Sequence, residues 1–212
     1  LKTKEDANEA VRLFTQAIEL DPNNGRAYCE RCCTWGGGMA QNWFSESNEE
    51  LTEKILTTLD EASKLTEHDW DCHRLLCAVS THFENYESAL RHGQAAYNLN
   101  PNNPLVLAHY GESLIFNGEY DTGIELLRKA QKLDPTDPEI TESIVWGLYA
   151  CGDYTACIEH TEMTGKLDAQ SWLLRIASLG ALMMNEQRDR ELEAFAKAHP
   201  DAGVESQWEA LE

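Results

Sequence analysis

Three tyrosines, Tyr86, Tyr120 and Tyr154, recur at a fixed interval of 34 residues. Two further pairs of residues keep the same interval: Ala96 with Ala130, and Pro101 with Pro135. A fixed period of this length is typical of solenoids in which each repeat is a helix-turn-helix unit. Such a repeat buries its apolar side against its neighbours and leaves a long surface open to a partner. The spacing therefore predicts an all-α fold.

Proline and Asn or Asp residues mark where each repeat ends. Pro22, Pro101 and Pro135 each follow an apolar helical stretch, and Asn or Asp comes within two residues after each of them. Proline cannot continue a helix and disfavours helix at the residue before it. Asn and Asp form turns and cap the first turn of a helix. We expect the second helix of each repeat to end at these prolines and the next repeat to begin just after them.

The residues at fixed positions of each repeat resemble the tetratricopeptide repeat family. Numbering a repeat from Pro104 places seven residues on the family pattern of large, small and proline positions: Leu107, Tyr110, Gly111, Tyr120, Gly123, Ala130 and Pro135. The resemblance implies a right-handed superhelix of antiparallel helix pairs, A then B, with about 10–11 helices. It also implies that small residues let the helices approach closely, and that the three periodic tyrosines are core residues between repeats.

The repeats predict one solenoid domain over residues 1–212. The first repeat shows only a B helix, so we expect its A helix to lie upstream of Leu1. The expected segments are a B helix over 5–20, a second repeat over 24–66, a third over 70–101, a fourth over 104–135, a fifth over 138–165, a degenerate sixth over 169–200 and a C-terminal tail over 201–212.

The second repeat is longer than the period by 11 residues, because Ala17 and Ala62 lie 45 residues apart instead of 34. The surplus falls near residues 36–47 and begins with three glycines. Each glycine costs a helix about 1 kcal/mol relative to alanine. We therefore expect the A helix to end near Trp35 and the B helix to begin near Asn48.

Two aromatic residues, Trp43 and Phe44, lie within this insertion and outside the repeat pattern. One interpretation is that they fold back and cover the end of a neighbouring helix. The other is that they form an exposed aromatic patch for a partner or for a second copy of the chain. The sequence leaves both interpretations open.

The chain is strongly acidic, with 17 Lys and Arg against 37 Asp and Glu and a net charge of −20. This charge opposes binding to nucleic acid, since a phosphate backbone needs Lys and Arg to displace its counterions. It favours basic partners through long-range attraction. No apolar run approaches the ~20 residues of a membrane span. The seven cysteines do not resemble a disulfide framework, so we expect reduced thiols and a cytoplasmic location.

Some cysteines have the spacing of a zinc site, since Cys29 and Cys32 form a Cys-x-x-Cys and Cys72, His73 and Cys77 could join them. However, Cys32 and Cys77 stand where the family has a small residue, and a free cysteine packs as a small hydrophobe. We therefore predict no metal and no cofactor. No nucleophile, acid–base or phosphate-loop pattern stands out, so we predict that the chain is not an enzyme.

The family resemblance assigns the residues of the concave surface, which A-helix positions mainly line. We predict partner contact for six residues at those positions: Arg74, His82, Glu112, Phe116, Trp146 and Tyr149. This surface is apolar at its centre and carries some carboxylates. Family members that bind acidic chaperone tails use Lys and Asn at set groove positions, which this chain lacks. We therefore expect a protein or peptide partner with apolar anchors and basic residues.

The predicted function is that of a protein–protein interaction scaffold, with self-association as a further expectation. The alternative is a regulatory or sensing region of a bacterial signalling protein. The extended A–B connection of the second repeat resembles the repeat regions attached to class III adenylate cyclases and to winged-helix transcriptional regulators. That resemblance implies an output domain elsewhere in a longer chain.

Overall fold

The computed structural model describes residues 3–65, 67–165 and 167–200, and these residues form helices and no strand. Eleven α-helices follow one another: α1 Lys4–Leu20, α2 Gly25–Ala40, α3 Asn48–Leu65, α4 Trp70–His82, α5 Tyr86–Leu99, α6 Pro104–Phe116, α7 Tyr120–Leu133, α8 Pro138–Ala150, α9 Tyr154–Thr164, α10 Ala169–Ala181 and α11 Asn185–Ala198. The all-α prediction is confirmed. The predicted tail over 201–212 lies outside the described residues. None of the described helices is both long and apolar enough to cross a membrane.

The helices fall into two compact units that divide between Leu133 and Asp134. The first unit holds α1 to α7 and the second holds α8 to α11. After α1, the helices alternate as predicted between A helices (α2, α4, α6, α8 and α10) and B helices (α3, α5, α7, α9 and α11).

Asn and Asp side chains begin the A helices, as their positions after the prolines predict. The Asn103 side chain accepts a hydrogen bond from the backbone N–H of Val106 at 3.1 Å, and Asp137 accepts one from Glu139 at 2.9 Å. These bonds satisfy N–H groups that have no partner within the helix. The prolines and the residues that follow them therefore set the boundaries between repeats.

Each A helix ends in the same tight turn, in which one residue adopts a left-handed backbone conformation. These five residues are Asn42, Glu84, Gly118, Gly152 and Met183, with φ angles between 53° and 84°. The next N–H then donates to a carbonyl five residues earlier, as from Glu119 to Leu114 at 2.9 Å. This is the Schellman arrangement, which favours glycine because a side chain is strained there. The left-handed backbone conformation thus explains why glycine recurs at positions 118 and 152.

The insertion in the second repeat lengthens both of its helices. Compared with the third repeat, α2 is three residues longer than α4, the connection is four residues longer, and α3 is four residues longer than α5. The prediction that the glycines end the A helix near Trp35 is wrong, since α2 continues to Ala40. A Cβ atom on Gly38 would overlap the Phe44 ring. Packing of this ring against the bare backbone offsets the low helix propensity of the glycines.

Small residues allow paired helices to touch, as predicted. A Cβ atom on Gly111 would lie 2.9 Å from the carbonyl oxygen of Gly123, so α6 and α7 meet backbone to backbone. At other small positions, Cys32, Cys77 and Ala130 are completely buried. These residues fix the distance between helices, and larger side chains there would push the helices apart.

The periodic tyrosines are not core residues, and that expectation is wrong. Each begins a B helix, where Tyr120 is 41% exposed and Tyr86 and Tyr154 are half-buried. The Tyr86 ring instead stacks on Phe116 of the following A helix, with centroids 5.6 Å apart and planes 7° apart. The amphipathic tyrosine suits this border position, since its ring packs while its hydroxyl stays near water.

Within the first unit the A helices form a continuous layer. Helix α4 packs on both α2 and α6, whereas no comparable packing joins α3 to α5 or α5 to α7 among the described residues. In the second unit α8 packs on α10. Closer spacing of the A helices places their outer side on the inside of a bend. We call the surface that the A helices present away from their B helices the A-helix face.

Candidate partner-binding surface

Arg74 begins the A-helix face of the first unit with an ion network. Its Nε donates to Asp71 Oδ1 at 2.8 Å, and Arg26 Nη2 donates to Asp71 Oδ2 at 2.6 Å. One carboxylate thus bridges two guanidinium groups from neighbouring A helices. The Arg74 side chain is 14% exposed and bonds to Asp71 within α4, whereas the Arg26–Asp71 bond joins α2 to α4.

Glu112 lies one repeat further along, half-buried on α6. Glu112 and Arg74 both lie close enough to the buried thiol of Cys77 to affect its pKa. The pKa of Cys77 is raised to about 12, mainly by burial and to a smaller extent by the Glu112 carboxylate, while Arg74 acts in the opposite direction. Arg74 and Glu112 therefore both lie near the same buried thiol, on neighbouring A helices.

His82 and Phe116 occupy the last turns of α4 and α6. The exposed His82 ring meets the edge of Phe83, with centroids 5.1 Å apart and planes 84° apart. Phe116 is 40% exposed although it stacks on Tyr86. The C-terminal ends of these two A helices thus present aromatic rings at the surface, fixed by neighbouring rings.

Trp146 and Tyr149 lie on α8 in the second unit, and both are half-buried. The Tyr149 ring lies 5.5 Å from that of Tyr154, at an angle of 57°. Burial raises the pKa of the Tyr149 hydroxyl. Since a neutral hydroxyl donates a hydrogen bond, Tyr149 combines an apolar ring with a donor at this surface.

The two aromatic residues of the insertion are both half-buried. Phe44 packs on Gly38 and joins the apolar cluster that contains Trp35, Leu51 and Ile55. The Trp43 N–H donates to the Gly38 carbonyl at 2.9 Å and closes the end of α2. Phe44 thus has a structural role in joining α2 to α3.

The cysteines whose spacing resembles that of a zinc site contact separate groups in the structure. Cys32 Sγ lies 3.7 Å from the Ile55 carbonyl and Cys77 Sγ lies 3.4 Å from the His109 carbonyl. Cys29 contacts Cys72, and this contact together with burial raises the pKa of the Cys29 thiol. Across residues 3–65, 67–165 and 167–200, no three His, Cys, Asp or Glu side chains converge as metal ligands would.

A pair of buried histidines is a feature that sequence reasoning missed. His73 on α4 and His92 on α5 face each other with their Nδ1 atoms 2.9 Å apart, so one ring donates to the other. Burial lowers the pKa of both, to about 4 for His92. No repeat position marks these residues, because their pairing depends on how α4 and α5 are rotated about their axes.

Comparison with known sequences identifies the repeats. Two family models, each described as a tetratricopeptide repeat (TPR), match residues 82–142 and 1–24. These two segments match tetratricopeptide repeats. It is also similar to the BBSome complex member BBS4 of Bos taurus, with 26% identity over 177 residues that cover 82% of this chain and 31% of that protein. The chain thus spans about a third of the length of that relative.

Solved TPR structures share the fold. PilW, a widely conserved type IV pilus biogenesis factor, superimposes with a TM-score of 0.74 at 15% identity, over 98% of this chain and 92% of PilW. YrrB, a TPR protein with an unusual peptide-binding site, superimposes with a TM-score of 0.58 at 16% identity, over 89% of this chain and 93% of YrrB. At these identities the likeness concerns the fold.

Proposed function

We propose that this chain is a protein-interaction scaffold that binds a peptide or partner domain on its A-helix face. The observation that carries the proposal is the continuous layer of A helices in the first unit, which ends in the exposed Phe116 ring. Exposed aromatic residues held rigid by neighbouring rings lose little conformational entropy on binding and are common in binding hot spots. The peptide-binding site of YrrB is consistent with such a role for the TPR fold.

The chemistry of the face suggests what the partner carries. Phe116 offers an apolar contact, and Glu112 brings a carboxylate one helical turn away from it. Arg74 is already engaged by Asp71, which it shares with Arg26. Together with the net charge of −20, this favours a partner with an apolar anchor and a basic side chain near it. The second unit carries aromatic residues of its own, Trp146 and Tyr149 on α8, as candidates for apolar contact.

The test compares how well two variants capture a partner. Each variant loses one exposed apolar side chain, but from a different surface. Phe116→Ala removes an apolar side chain from the A-helix face. Leu99→Ala removes a similarly exposed apolar side chain, 44% accessible, from the B helix α5. Proteins captured from the native cell extract are identified by mass spectrometry, and their affinities for wild type and both variants are then measured by calorimetry.

We expect Phe116→Ala to weaken the binding of the partner by about tenfold or more, equivalent to about 1.4 kcal/mol. Leu99→Ala should leave the affinity of the partner unchanged. Thermal unfolding of both variants shows whether loss of the Tyr86 contact has altered the fold. Equal affinity of a partner for wild type and a folded Phe116→Ala variant would refute the assignment of the surface.

The regulatory alternative and self-association stay predictions. An adenylate cyclase or winged-helix domain in the same gene would support the regulatory alternative. Light scattering tests self-association, which would appear as a mass that rises with concentration. A constant monomer mass would exclude it over the range measured.

A further inference from the structure

The long helix α3 stands away from α4, and a cleft opens there on the first unit. Equivalent pairs of a B helix with the next A helix, α1 with α2 and α5 with α6, pack far more closely than α3 with α4. The cleft lies between α3, α4 and α5 and encloses about 300 Å³. Its position coincides with the one repeat that departs from the 34-residue period. Protein interiors are otherwise closely packed, so a gap of this size needs an occupant, either water or a ligand.

Buried polar groups line one side of this cleft. Ser80 of α4 and His92 of α5 are both 4% exposed, and Ser80 Oγ donates to Ser88 Oγ at 3.2 Å. Hydroxyls and imidazole nitrogens in such a place usually hydrogen-bond to protein, to water or to a ligand. The cleft therefore offers a small, built group of hydrogen-bonding side chains.

The contact with His73 fixes the orientation of the His92 ring. Since the Nδ1 atoms of the two rings bond to each other at 2.9 Å, Nε2 is the ring nitrogen of His92 that remains for another partner. Among the described residues, the hydrogen bond that His92 makes through its ring is the one to His73. Because His92 lines the cleft, a molecule in the cleft can reach this nitrogen.

Two opposite charges at the cleft do not pair with each other. Glu87 and Arg91 lie one turn apart on α5, an arrangement in which such side chains commonly form an ion pair. Among the described residues neither makes an ion pair with the other or with anything else. Asp60 across the cleft already binds Lys64 at 2.7 Å. The cleft thus presents one unpaired cation and one unpaired anion close together.

Part of the cleft lining is apolar. Leu56 and Leu59 of α3 and Leu76 of α4 line it. Leu56 is 43% exposed, so its side chain is not covered by the protein itself. A ligand with an aliphatic group would remove this exposed apolar surface from water, which favours binding.

We propose that this cleft binds a free α-amino acid with an aliphatic side chain. The ligand's carboxylate lies at Arg91, with a hydrogen bond from the Ser88 hydroxyl and one from His92 Nε2 in the tautomer whose Nδ1 accepts from His73, and its ammonium lies at Glu87. Its side chain packs on the leucines of α3 and α4. A zwitterion matches the cleft because it adds no net charge and pairs both free charges at once. The volume is at the lower end for ligand sites, which suits a molecule of this size.

Calorimetry with the whole chain tests the proposal, using L-leucine and two analogues that each lack one charge. Isocaproate has no ammonium, and isoamylamine has no carboxylate. Arg91→Gln and Glu87→Gln each remove one proposed contact from an exposed position, so the fold should survive. Arg128→Gln on α7 is the control, since it is an exposed arginine that does not line the cleft. Chemical shifts of the His92 ring locate the bound ligand.

We expect saturable binding of L-leucine to wild type and to Arg128→Gln, with a shift of the His92 signals. Each analogue and each cleft variant should bind about tenfold more weakly or worse. Three results would overturn the proposal: no binding of any aliphatic amino acid at millimolar concentration, equal binding of isocaproate and leucine, or unchanged leucine affinity in Arg91→Gln. None of them would affect the proposed scaffold function, because Phe116 and the A-helix face are not part of the cleft.

Discussion

The buried pair of His73 and His92 predicts that acid destabilises the first unit. Both rings are neutral when one donates to the other at 2.9 Å, and a second proton would place two positive charges in contact. Burial, together with the charges of His73 and Arg91, lowers the pKa of His92 from 6.5 to about 4. The pKa of His73 is lowered in the same direction by burial and by Arg91, against opposing effects from Asp69 and the Glu67 backbone.

The direction in which stability changes with pH follows from the number of protons that the folded and unfolded chains bind. Between pH 6.5 and about 4 the unfolded chain binds a proton at residue 92 that the folded chain does not. The stability that the neutral His92 contributes is therefore fully present above pH 6.5. It decreases as the pH falls through this window and is lost without further change below about pH 4. A pKa difference of about 2.5 units corresponds to about 3 kcal/mol, at 1.36 kcal/mol per unit. His73 adds to this loss.

Urea unfolding, followed by circular dichroism at a series of pH values, measures the effect. His92→Gln cannot take up the proton, so its free energy of unfolding should depend less on pH than that of wild type. His82→Gln is the control, because His82 is exposed and lies outside the pair. The difference between wild type and His92→Gln removes the contribution of carboxylates that titrate in the same range. Parallel pH profiles for wild type and His92→Gln would refute the reasoning.

Three further predictions concern the free energy of unfolding in urea. Gly123→Ala should destabilise by about 2 kcal/mol, because a Cβ there would lie 2.6 Å from the carbonyl oxygen of Gly111; an unchanged midpoint would contradict the close contact of α6 and α7. Met183→Gly should stabilise by about 1 kcal/mol, because residue 183 has a φ of 58°; destabilisation would mean that the methionine side chain makes stabilising contacts. Ser47→Ala should destabilise by about 1 kcal/mol, because Ser47 and Glu50 cap the start of α3 reciprocally; a neutral effect would mean that the cap contributes little.

The periodicity predicted the helix pairs because it records contacts that every repeat must make. Gly111 and Gly123 allow two backbones to touch, and Gly118 and Gly152 adopt a left-handed conformation. Each requirement restricts one position to a small residue or glycine, so it recurs in the sequence. The proline and Asn or Asp positions predicted the helix starts for the same reason.

The predictions that failed depended on tertiary contacts that no local rule includes. Helix propensity alone ends α2 at the glycines, but the Phe44 ring packs on Gly38 and the helix continues. The family pattern makes Tyr120 a core residue, whereas its position at the start of α7 leaves it 41% exposed. Both errors come from judging a residue without its neighbour in space.

The candidate sites were predictable to different degrees. The resemblance to the tetratricopeptide repeat family assigned Arg74 and Phe116 to A helices, and both residues lie on A helices; their contact with a partner stays a prediction. The His73–His92 pair and the cleft beside α3 could not, since they depend on the rotation of α4 against α5 and on the distance of α3 from α4. The insertion shows from the sequence that the second repeat departs from the pattern, but it does not show where a cleft forms in the structure.

Site-specific photo-crosslinking tests the central claim, that a partner binds the A-helix face, most directly. A photoreactive phenylalanine analogue replaces Phe116 in one sample and Leu99 in another, and each is irradiated with the captured partner. The account predicts a crosslinked product from position 116 and none from position 99. A product from position 99 alone would place the partner on the B helices and contradict it.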